Sequence, residues 1–257
     1  MIALHEIVLD LNRSLRTNEI PDYDRALNGL QLANAGTVRR VAAAVDFSLE
    51  TVQRAVAAEA DLLLVHHGMF WGGLQPLMGA RYERLRLAFA NNLAVYASHL
   101  PLDCHETLGN NARFASVLGL LTDGRFGRHQ GLELGVTGIG DIETQELVHR
   151  VRNVVEPLGT QLVVTGHPAS RRTNRWAVLT GAGASSAVLD EATARDVDTL
   201  IVGEGPHHTA IEAHERGLVV IYAGHYATET FGVQALAEYV ERRYALPWSF
   251  LHIPSGL

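Results

Sequence analysis

Short apolar runs alternate with longer amphipathic stretches along most of the chain. The runs Val38–Val45, Leu62–Val65 and Leu93–Ser98 have the length and apolar content of buried strands. Amphipathic stretches follow them, and Ser48 is a suitable N-cap for the first, which ends near Ala60. Strands and helices that alternate in this way predict an α/β fold.

A second series of the same kind begins near Leu132. Its predicted strands and helices are, in chain order, Leu132–Ile139, Ile142–Val155, Gln161–Thr165, Arg175–Thr180, Ala187–Arg195, Thr199–Val202, Thr209–Arg216, Leu218–Tyr222 and Thr228–Arg243. The strand Leu62–Val65 matches Thr199–Val202 at an offset of 137 residues. His99, which follows a strand of the first series, matches His225 at an offset of 126.

The offset of 126 residues also places Asp103 on Glu229, so each series holds a strand, a histidine, three residues and a carboxylate. Chance likeness between two α/β units is the alternative, but this shared order favours an internal duplication. We therefore predict two related α/β halves, 1–125 and 126–257, each a small mixed sheet flanked by helices. We expect the halves to pack intimately into one unit.

The charge balance and the cysteine count limit the classes of protein. Lys and Arg number 21 against 28 Asp and Glu, a formal net charge of −7, which argues against a nucleic-acid binder because such a protein needs a basic patch. No apolar stretch approaches 18 residues, so no membrane span is expected. The single cysteine excludes an intramolecular disulfide framework and favours the reducing cytoplasm.

Histidine, with 13 residues, is the abundant candidate ligand. Three strands end in polar sets, at the carboxyl edges where α/β proteins gather their function. The sets are His66 and His67, His99 with Asp103, and His225 with Glu229. Imidazole and carboxylate groups suit zinc, manganese, iron or cobalt. A lone histidine at a strand end is more often a hydrogen-bonded rim or core residue, but three such sets together favour a metal site.

One ion needs only three or four such ligands, so a group of this size can hold two ions if a carboxylate and a water bridge them. His66 and His67 are adjacent, and adjacent side chains in a strand point to opposite faces. The two rings must therefore converge through a bend in the chain, serve different ions, or leave one ring facing away.

Further polar residues have two interpretations each. His207 and His208, at a predicted helix start, would bind substrate anions or form a surface pair at a cap. The segment Thr180–Ser186 resembles a phosphate loop but lacks the residues of the nucleotide motifs, so a tight turn is favoured. Asn110 and Asn111 are expected to satisfy backbone groups at a helix start.

Asp46 ends the first strand and would orient a ligand histidine or a water, or else form an N-cap or an Asx turn. The aromatic residues Phe70, Trp71 and Trp248 would line a pocket for a planar ligand, or pack in the core or an interface.

Seven segments of the sequence form a specific set when they are taken together. They are NGLQLA at 28–33, AAVDFSLETVQRA at 43–55, VHHGMFW at 65–71, YASHLPLD at 96–103, LGNNARFA at 108–115, GEGPHHTAIEA at 203–213 and GHYATETFGVQALA at 224–237. In this order they resemble the motifs of the NIF-three-like family, which is also known as GTP cyclohydrolase I type 2. The resemblance runs from about residue 5 to 253.

The resemblance implies two related α/β halves, a ring-shaped homohexamer and a dinuclear metal centre, without the inserted middle domain of longer members. By position, the implied ligands are His66, His67, Asp103, His225 and Glu229. Glu229 is the implied bridging carboxylate. His99 lies in one of the motifs without being a standard ligand, so we assign it to orienting a ligand or to catalytic proton transfer.

We expect a metal-dependent hydrolase, in which two divalent ions activate a hydroxide that attacks a small-molecule substrate. The resemblance suggests a nucleotide such as GTP, opened at the base, while a phosphoester or an amidine-like bond suits the same metal pair. The alternative is a regulatory or assembly protein with a non-catalytic metal site. Open ligand positions favour catalysis, and closed ones favour a structural role.

Overall fold

The computed structural model describes residues 1–166 and 169–257, and these residues form two compact units. The first unit comprises Met1–His105 and Gly232–Ile253. The second comprises Glu106–Phe231 and Pro254–Leu257.

The secondary structure of the described residues follows an α/β order. The strands are β1 Ile2–Ala3, β2 Gly29–Leu32, β3 Thr37–Val38, β4 Val41–Asp46, β5 Leu62–His67, β6 Ala94–Ala97, β7 Gly124–His129, β8 Leu132–Glu143, β9 Val163–Thr165, β10 Arg172–Leu179, β11 Thr199–Val202, β12 Val219–Tyr222 and β13 Trp248–Phe250. The helices are α1 Leu4–Ser14, α2 Leu49–Ala57, α3 Ala80–Ala90, α4 Leu100–Asp103, α5 Asn110–Val117, α6 Thr144–Val155, α7 Ser186–Ala194, α8 His207–Glu215 and α9 His225–Tyr244.

The first unit is built on a five-stranded sheet in the order β13-β4-β5-β6-β2. The first four strands are parallel, and the edge strand β2 is antiparallel to β6. Every residue of β5 and β6 is buried, as expected for parallel strands that are covered on both faces. The helix α2 begins where the Ser48 hydroxyl accepts the Thr51 N–H, so the predicted N-cap is present.

The second unit is built on a six-stranded sheet in the order β7-β8-β10-β11-β12-β9. The strands β10, β11 and β12 are parallel, and the others pair antiparallel. Alternate residues of β10 enter two separate apolar clusters: Trp176 and Val178 pack in one and Ala177 and Leu179 in the other. Both faces of this sheet are therefore buried.

The two units share one topology. The order α1-β2-β4-α2-β5-α3-β6 in the first corresponds to α6-β9-β10-α7-β11-α8-β12 in the second. In both units the edge strand that precedes the parallel set pairs antiparallel with the third parallel strand. The prediction of an α/β fold with small mixed sheets and flanking helices is confirmed.

An aspartate directly precedes the second parallel strand of each unit. Asp61 Oδ2 accepts the backbone N–H groups of Arg39 at 2.7 Å and Arg40 at 3.3 Å. Asp198 Oδ2 accepts those of Asn174 at 2.8 Å and Arg175 at 3.0 Å. The same position therefore ties the start of the first parallel strand to the start of the second in both units.

The observed division of the chain differs from the predicted boundary at residue 125. Residues 106–125 belong to the second unit, where α5 packs against β8 and β10. The C-terminal segment 232–253 belongs to the first unit, because β13 pairs with β4. Packing of α5 decides the first point and pairing of distant strands decides the second, and local periodicity reports neither.

Three strands of three to six residues, β2, β7 and β13, were not predicted from the sequence. The first has the short sequence GLQL, and β7 has the sequence GRFGRH, whose charges and glycines hide its pattern. All three lie at the edges of their sheets, where strands need fewer apolar residues.

None of the helices within residues 1–166 and 169–257 combines the length and the apolar character that crossing a bilayer requires.

The hydrogen bonds from the backbone of Arg39 and Arg40 to Asp61 can be tested by mutation. Burial alone would raise the pKa of Asp61, but the hydrogen bonds and the charge of Arg39 outweigh burial and hold this pKa below its usual range. The side chain therefore stabilises the fold above the ordinary pKa of 3.8, and this contribution is lost as the pH falls through the lower folded value. We expect Asp61→Ala to lower the free energy of unfolding by about 2 kcal/mol at pH 7, measured by thermal or urea unfolding.

The difference between wild type and Asp61→Ala should shrink as the pH is lowered below 3.8. Asp123→Ala, which removes an exposed carboxylate, is the matched control and should change stability by less than about 0.5 kcal/mol. Equal losses in the two variants would contradict the role of Asp61.

Candidate metal centre

The parallel strands of the first unit bring three polar sets to one edge of the sheet. Asp46 ends β4, His66 and His67 end β5, and His99 follows β6 by two residues. Asp46 and His67 are register partners on adjacent strands, so their side chains are neighbours. All three histidines are buried.

The rings of the three histidines lie against one another. The ring centroids of His66 and His67 are 4.8 Å apart, those of His66 and His99 are 4.9 Å apart, and those of His67 and His99 are 5.6 Å apart. One ring nitrogen of each lies within 4.8 Å of the corresponding nitrogens of the other two. The adjacent histidines thus converge, and a metal ion could bind among the three rings.

Hydrogen bonds fix which nitrogen of His66 and His67 carries the lone pair. His66 Nδ1 lies 2.8 Å from the carbonyl oxygen of Ser98, which can only accept, so Nδ1 is the donor. His67 Nδ1 lies 2.9 Å from Asp46 Oδ1. Nε2 is then the potential ligand atom of both rings, the arrangement typical of metal-binding histidine. His66 Nε2 also lies 3.6 Å from Asp103 Oδ2, at the end of α4.

His99 has a carboxylate partner of its own, Asp22. His99 Nδ1 lies 2.9 Å from Asp22 Oδ1, and the other oxygen of Asp22 accepts the backbone N–H of Leu100 and the amide of Asn28. Burial raises the pKa of Asp22, but the hydrogen bond and charge of His99, together with these donors, outweigh burial and hold this pKa below its usual value. Asp22 therefore stays ionised and orients the His99 ring, with the lone pair at Nε2.

One of the three aromatic residues singled out in the sequence lies at this group. The Trp71 ring centroid is 4.8 Å from that of His67 and 4.5 Å from that of His99. Phe70 is half-buried beside it in the chain, whereas Trp248 lies in the edge strand β13 and donates its indole N–H to Glu241.

The second unit has a histidine–carboxylate group of its own. His225 and Glu229 lie one turn apart at the start of α9, with His225 Nε2 at 3.1 Å from Glu229 Oε2. His225 Nδ1 lies 2.8 Å from Glu204 Oε1, which follows β11. Burial lowers the pKa of His225, but the hydrogen bonds and charges of Glu229 and Glu204 more than offset burial and raise this pKa to about 9. The ring is therefore held by a carboxylate on each nitrogen.

The turn after β10 leaves space for this group only because it contains glycine. Gly181 has a φ of +63°, and a Cβ at this position would collide with Glu229 Oε1 and come within 3.6 Å of His225 Nε2. The Gly181 N–H also hydrogen-bonds the Thr228 hydroxyl. A side chain at residue 181 would therefore displace the carboxylate.

The structure also places three further groups of residues that were candidates from the sequence. His207 and His208 are exposed at the start of α8, with His208 Nε2 4.0 Å from Glu212 Oε1. The segment 180–186 is a tight turn, in which Ser185 caps α7. Asn111 does not serve its own helix start: its side chain accepts the Thr180 N–H, after β10, and donates to the Leu134 carbonyl on β8.

Two carboxylates of the site were not among the predicted site residues. Asp22 lies 77 residues before His99, in a loop without periodicity, and Glu204 lies 21 residues before His225. Glu204 closely follows the buried strand β11, so its place after a predicted strand could have identified it. For Asp22 the sequence contains no comparable signal, because the loop that holds it is placed by tertiary contacts.

These features define a class of protein: an α/β protein of two topologically related units, each with a histidine–carboxylate group where its parallel strands end. The sequence matches the Duf34/NIF3 (NGG1p interacting factor 3) family over residues 2–255, and the chain belongs to this family. The resemblance noted in the sequence segments is therefore confirmed.

Known relatives match the whole chain. A Deinococcus radiodurans protein named GTP cyclohydrolase 1 type 2 homolog is 42% identical over 258 residues, which cover 100% of this chain and 95% of that protein. The solved structure of protein ybgI, described as of unknown function, has a TM-score of 0.88 at 33% identity, with 100% of both chains covered. The solved structure of TTHA1606 from Thermus thermophilus has a TM-score of 0.83 at 37% identity, again with 100% of both chains covered.

The Asp46–His67 hydrogen bond gives a test of the metal-ligand assignment. If Asp46 orients His67 for an ion, Asp46→Ala should lower the affinity of the protein for Zn²⁺ by about 10- to 100-fold, measured by competition with a chromophoric chelator. Glu50→Ala, which removes an exposed carboxylate from the neighbouring helix α2, should leave the affinity unchanged. A loss of less than about threefold in Asp46→Ala would contradict the assignment.

Proposed function

We propose that this protein is a metal-dependent hydrolase that uses two divalent ions per chain. The proposed ligands are His66, His67 and Asp103 in the first unit and His225 and Glu229 in the second. The observation that best supports the proposal is the pair of histidines that ends β5. Their ring centroids are 4.8 Å apart, and the Nδ1 atoms of His66 and His67 are each bonded to an oxygen, so Nε2 is the ligand atom of both.

The donor chemistry fits zinc, manganese, iron or cobalt, which accept imidazole and carboxylate ligands. When bound, such ions lower the pKa of water and polarise the bond under attack. Five protein ligands are fewer than two ions require for saturation, so positions stay open for water and substrate, as in catalytic sites. Asp46 and Ser98 orient the His67 and His66 rings for this purpose.

His99 is the proposed proton carrier. Its Nδ1 is bonded to Asp22, which leaves Nε2 as the atom that accepts a proton from the attacking water and returns it to the leaving group. The ionised Asp22 carboxylate stabilises the ring while it is protonated. Burial of His99 and the contact with Trp71 limit the access of bulk water to this nitrogen.

The proposed substrate is a small molecule of the nucleotide class, with GTP as the first candidate. The Deinococcus radiodurans relative is named for GTP cyclohydrolase 1 type 2, which supports hydrolytic opening of the base. A phosphoester substrate would use the same metal pair, so both bond types belong in the test.

Metal content and turnover together test the proposal. Wild-type protein from metal-supplemented growth is expected to hold about two equivalents of divalent metal per chain, measured by plasma mass spectrometry. We expect it to hydrolyse at least one member of a panel of nucleotides and phosphodiesters. Glu229→Gln should lower metal content and turnover together, whereas His99→Gln should keep the metal and lose turnover by about 10²- to 10⁴-fold.

His208→Gln removes an exposed histidine and should change neither quantity. Metal content well below one equivalent in the wild type would overturn the proposed site. Two equivalents without turnover on any substrate would favour the alternative, a regulatory or assembly protein with a non-catalytic metal site. Loss of metal in His99→Gln would show that His99 is a ligand instead of a proton carrier.

We also propose that the protein assembles as the homohexamer that the family resemblance implies. Light scattering behind size-exclusion chromatography should then give about six times the chain mass of 28.0 kDa. A monomer or dimer at micromolar concentration would contradict the hexamer and would leave the metal proposal standing.

A further inference from the structure

Two loops beside the histidine group of the first unit are tied together by one side chain. Gln31 donates its amide N–H groups to the carbonyls of Ala26 and Leu27, at 3.1 and 2.8 Å, and accepts the N–H of Met69 at 2.6 Å. A Cβ at Gly68 would collide with this amide. The loops 21–28 and 68–79 are therefore held in a fixed relation, which is a form of preorganisation.

Each loop contributes an aromatic ring that is accessible to solvent. The Tyr23 and Trp71 ring centroids are 6.3 Å apart in an edge-to-face arrangement, and the residues are 47% and 36% exposed. Trp71 rests on His99 with ring centroids 4.5 Å apart. Exposed indole and phenol rings beside a buried polar site are suited to stack on a flat ligand.

Two cations lie beside the loop 68–79, one from the loop 21–28 and one from α3. The position that a Cβ would take on Gly72 lies 3.3 Å from Arg81 Nη2, and that on Gly73 lies 3.8 Å from Arg25 Nε. Within the described part of the chain, the side chains of Arg25 and Arg81 have no hydrogen-bonded or ion-paired acceptor, whereas Arg86 on the same helix α3 is paired with Glu83. Two guanidinium groups without carboxylate partners, in a chain of net charge −7, are suited to bind an anion such as a phosphate.

We infer that these two loops form a binding surface for a nucleoside polyphosphate, with the base stacked on Trp71, its edge against Tyr23, and the phosphates held by Arg25 and Arg81. The inference rests on the proposed function, because it assigns the residues that bind the nucleotide proposed there as the substrate. The aromatic pair recognises a planar base without requiring one pattern of hydrogen bonds, and the guanidinium pair neutralises the phosphate chain.

The test distinguishes binding of the base from binding of the phosphates. GTP and inorganic tripolyphosphate are titrated by calorimetry into the full-length protein in excess EDTA, so that neither bound metal nor turnover contributes. Trp71→Ala should weaken GTP binding about tenfold and leave tripolyphosphate binding unchanged, since only GTP has a base to stack. Arg81→Gln should weaken both ligands to a similar extent.

Two matched variants serve as controls for the binding measurements. Trp71→Phe keeps an aromatic ring and should hold GTP affinity within about threefold of the wild type. Arg86→Gln removes a guanidinium that is already paired on the same helix, and should change neither affinity. Thermal unfolding of each variant confirms that the fold is intact.

Two results would overturn the inference: wild type that binds no GTP at millimolar concentration, or Trp71→Ala that weakens GTP and tripolyphosphate equally. Because the titration is free of metal, its outcome is separate from that of the metal and turnover measurements. GTP binding that depends on Trp71, in a protein without metal or turnover, would keep the binding surface and reject the hydrolase.

Discussion

Burial of both faces of three parallel strands is the constraint on which the rest of the structure depends. Each unit contains such a set, β4-β5-β6 and β10-β11-β12, covered by helices and apolar clusters. A strand buried in this way can hold polar side chains only at its ends, where backbone pairing stops. Because the strands are parallel, their carboxyl ends meet at one edge, and the polar residues that end them become neighbours. The position of the histidines therefore follows from the packing of the sheet.

Buried imidazole rings are useful as ligands only if their orientation is fixed, and the same edge supplies the acceptors that fix it. His66 uses the carbonyl of Ser98, which directly follows β6, and His67 uses Asp46 from β4. Neither acceptor requires a new structural element, because both lie at the ends of strands that the sheet already aligns. His99 is different, since Asp22 comes from a loop that Asn28 and Gln31 have to anchor.

This difference explains how far the sequence predicts the site and where prediction ends. The runs of apolar residues locate the parallel strands, and the residues after them include His66, His67, His99 and His225, so the edge could be identified from the sequence. Edge strands such as β7 lack that signal because charged residues interrupt them. Asp22 could not be predicted for a related reason: the loop that holds it is positioned by hydrogen bonds to residues far away in the chain, and no local pattern encodes them.

Matching positions of the two units also differ in ways that the sequence alone does not reveal. His99 and His225 occupy matching positions after the third parallel strand, and Asp103 and Glu229 follow each by four residues. Yet His99 Nδ1 is bonded to the loop residue Asp22, whereas His225 is bonded to Glu204 on Nδ1 and to Glu229 on Nε2. A ring with carboxylates at both nitrogens lies in an environment that favours a cation, which suits a metal ligand. His99, like His67, has a carboxylate at Nδ1 and its lone pair at Nε2, an arrangement that serves a metal ligand as well as a proton acceptor. Histidines at matching positions in the two units thus differ in the partners of their ring nitrogens.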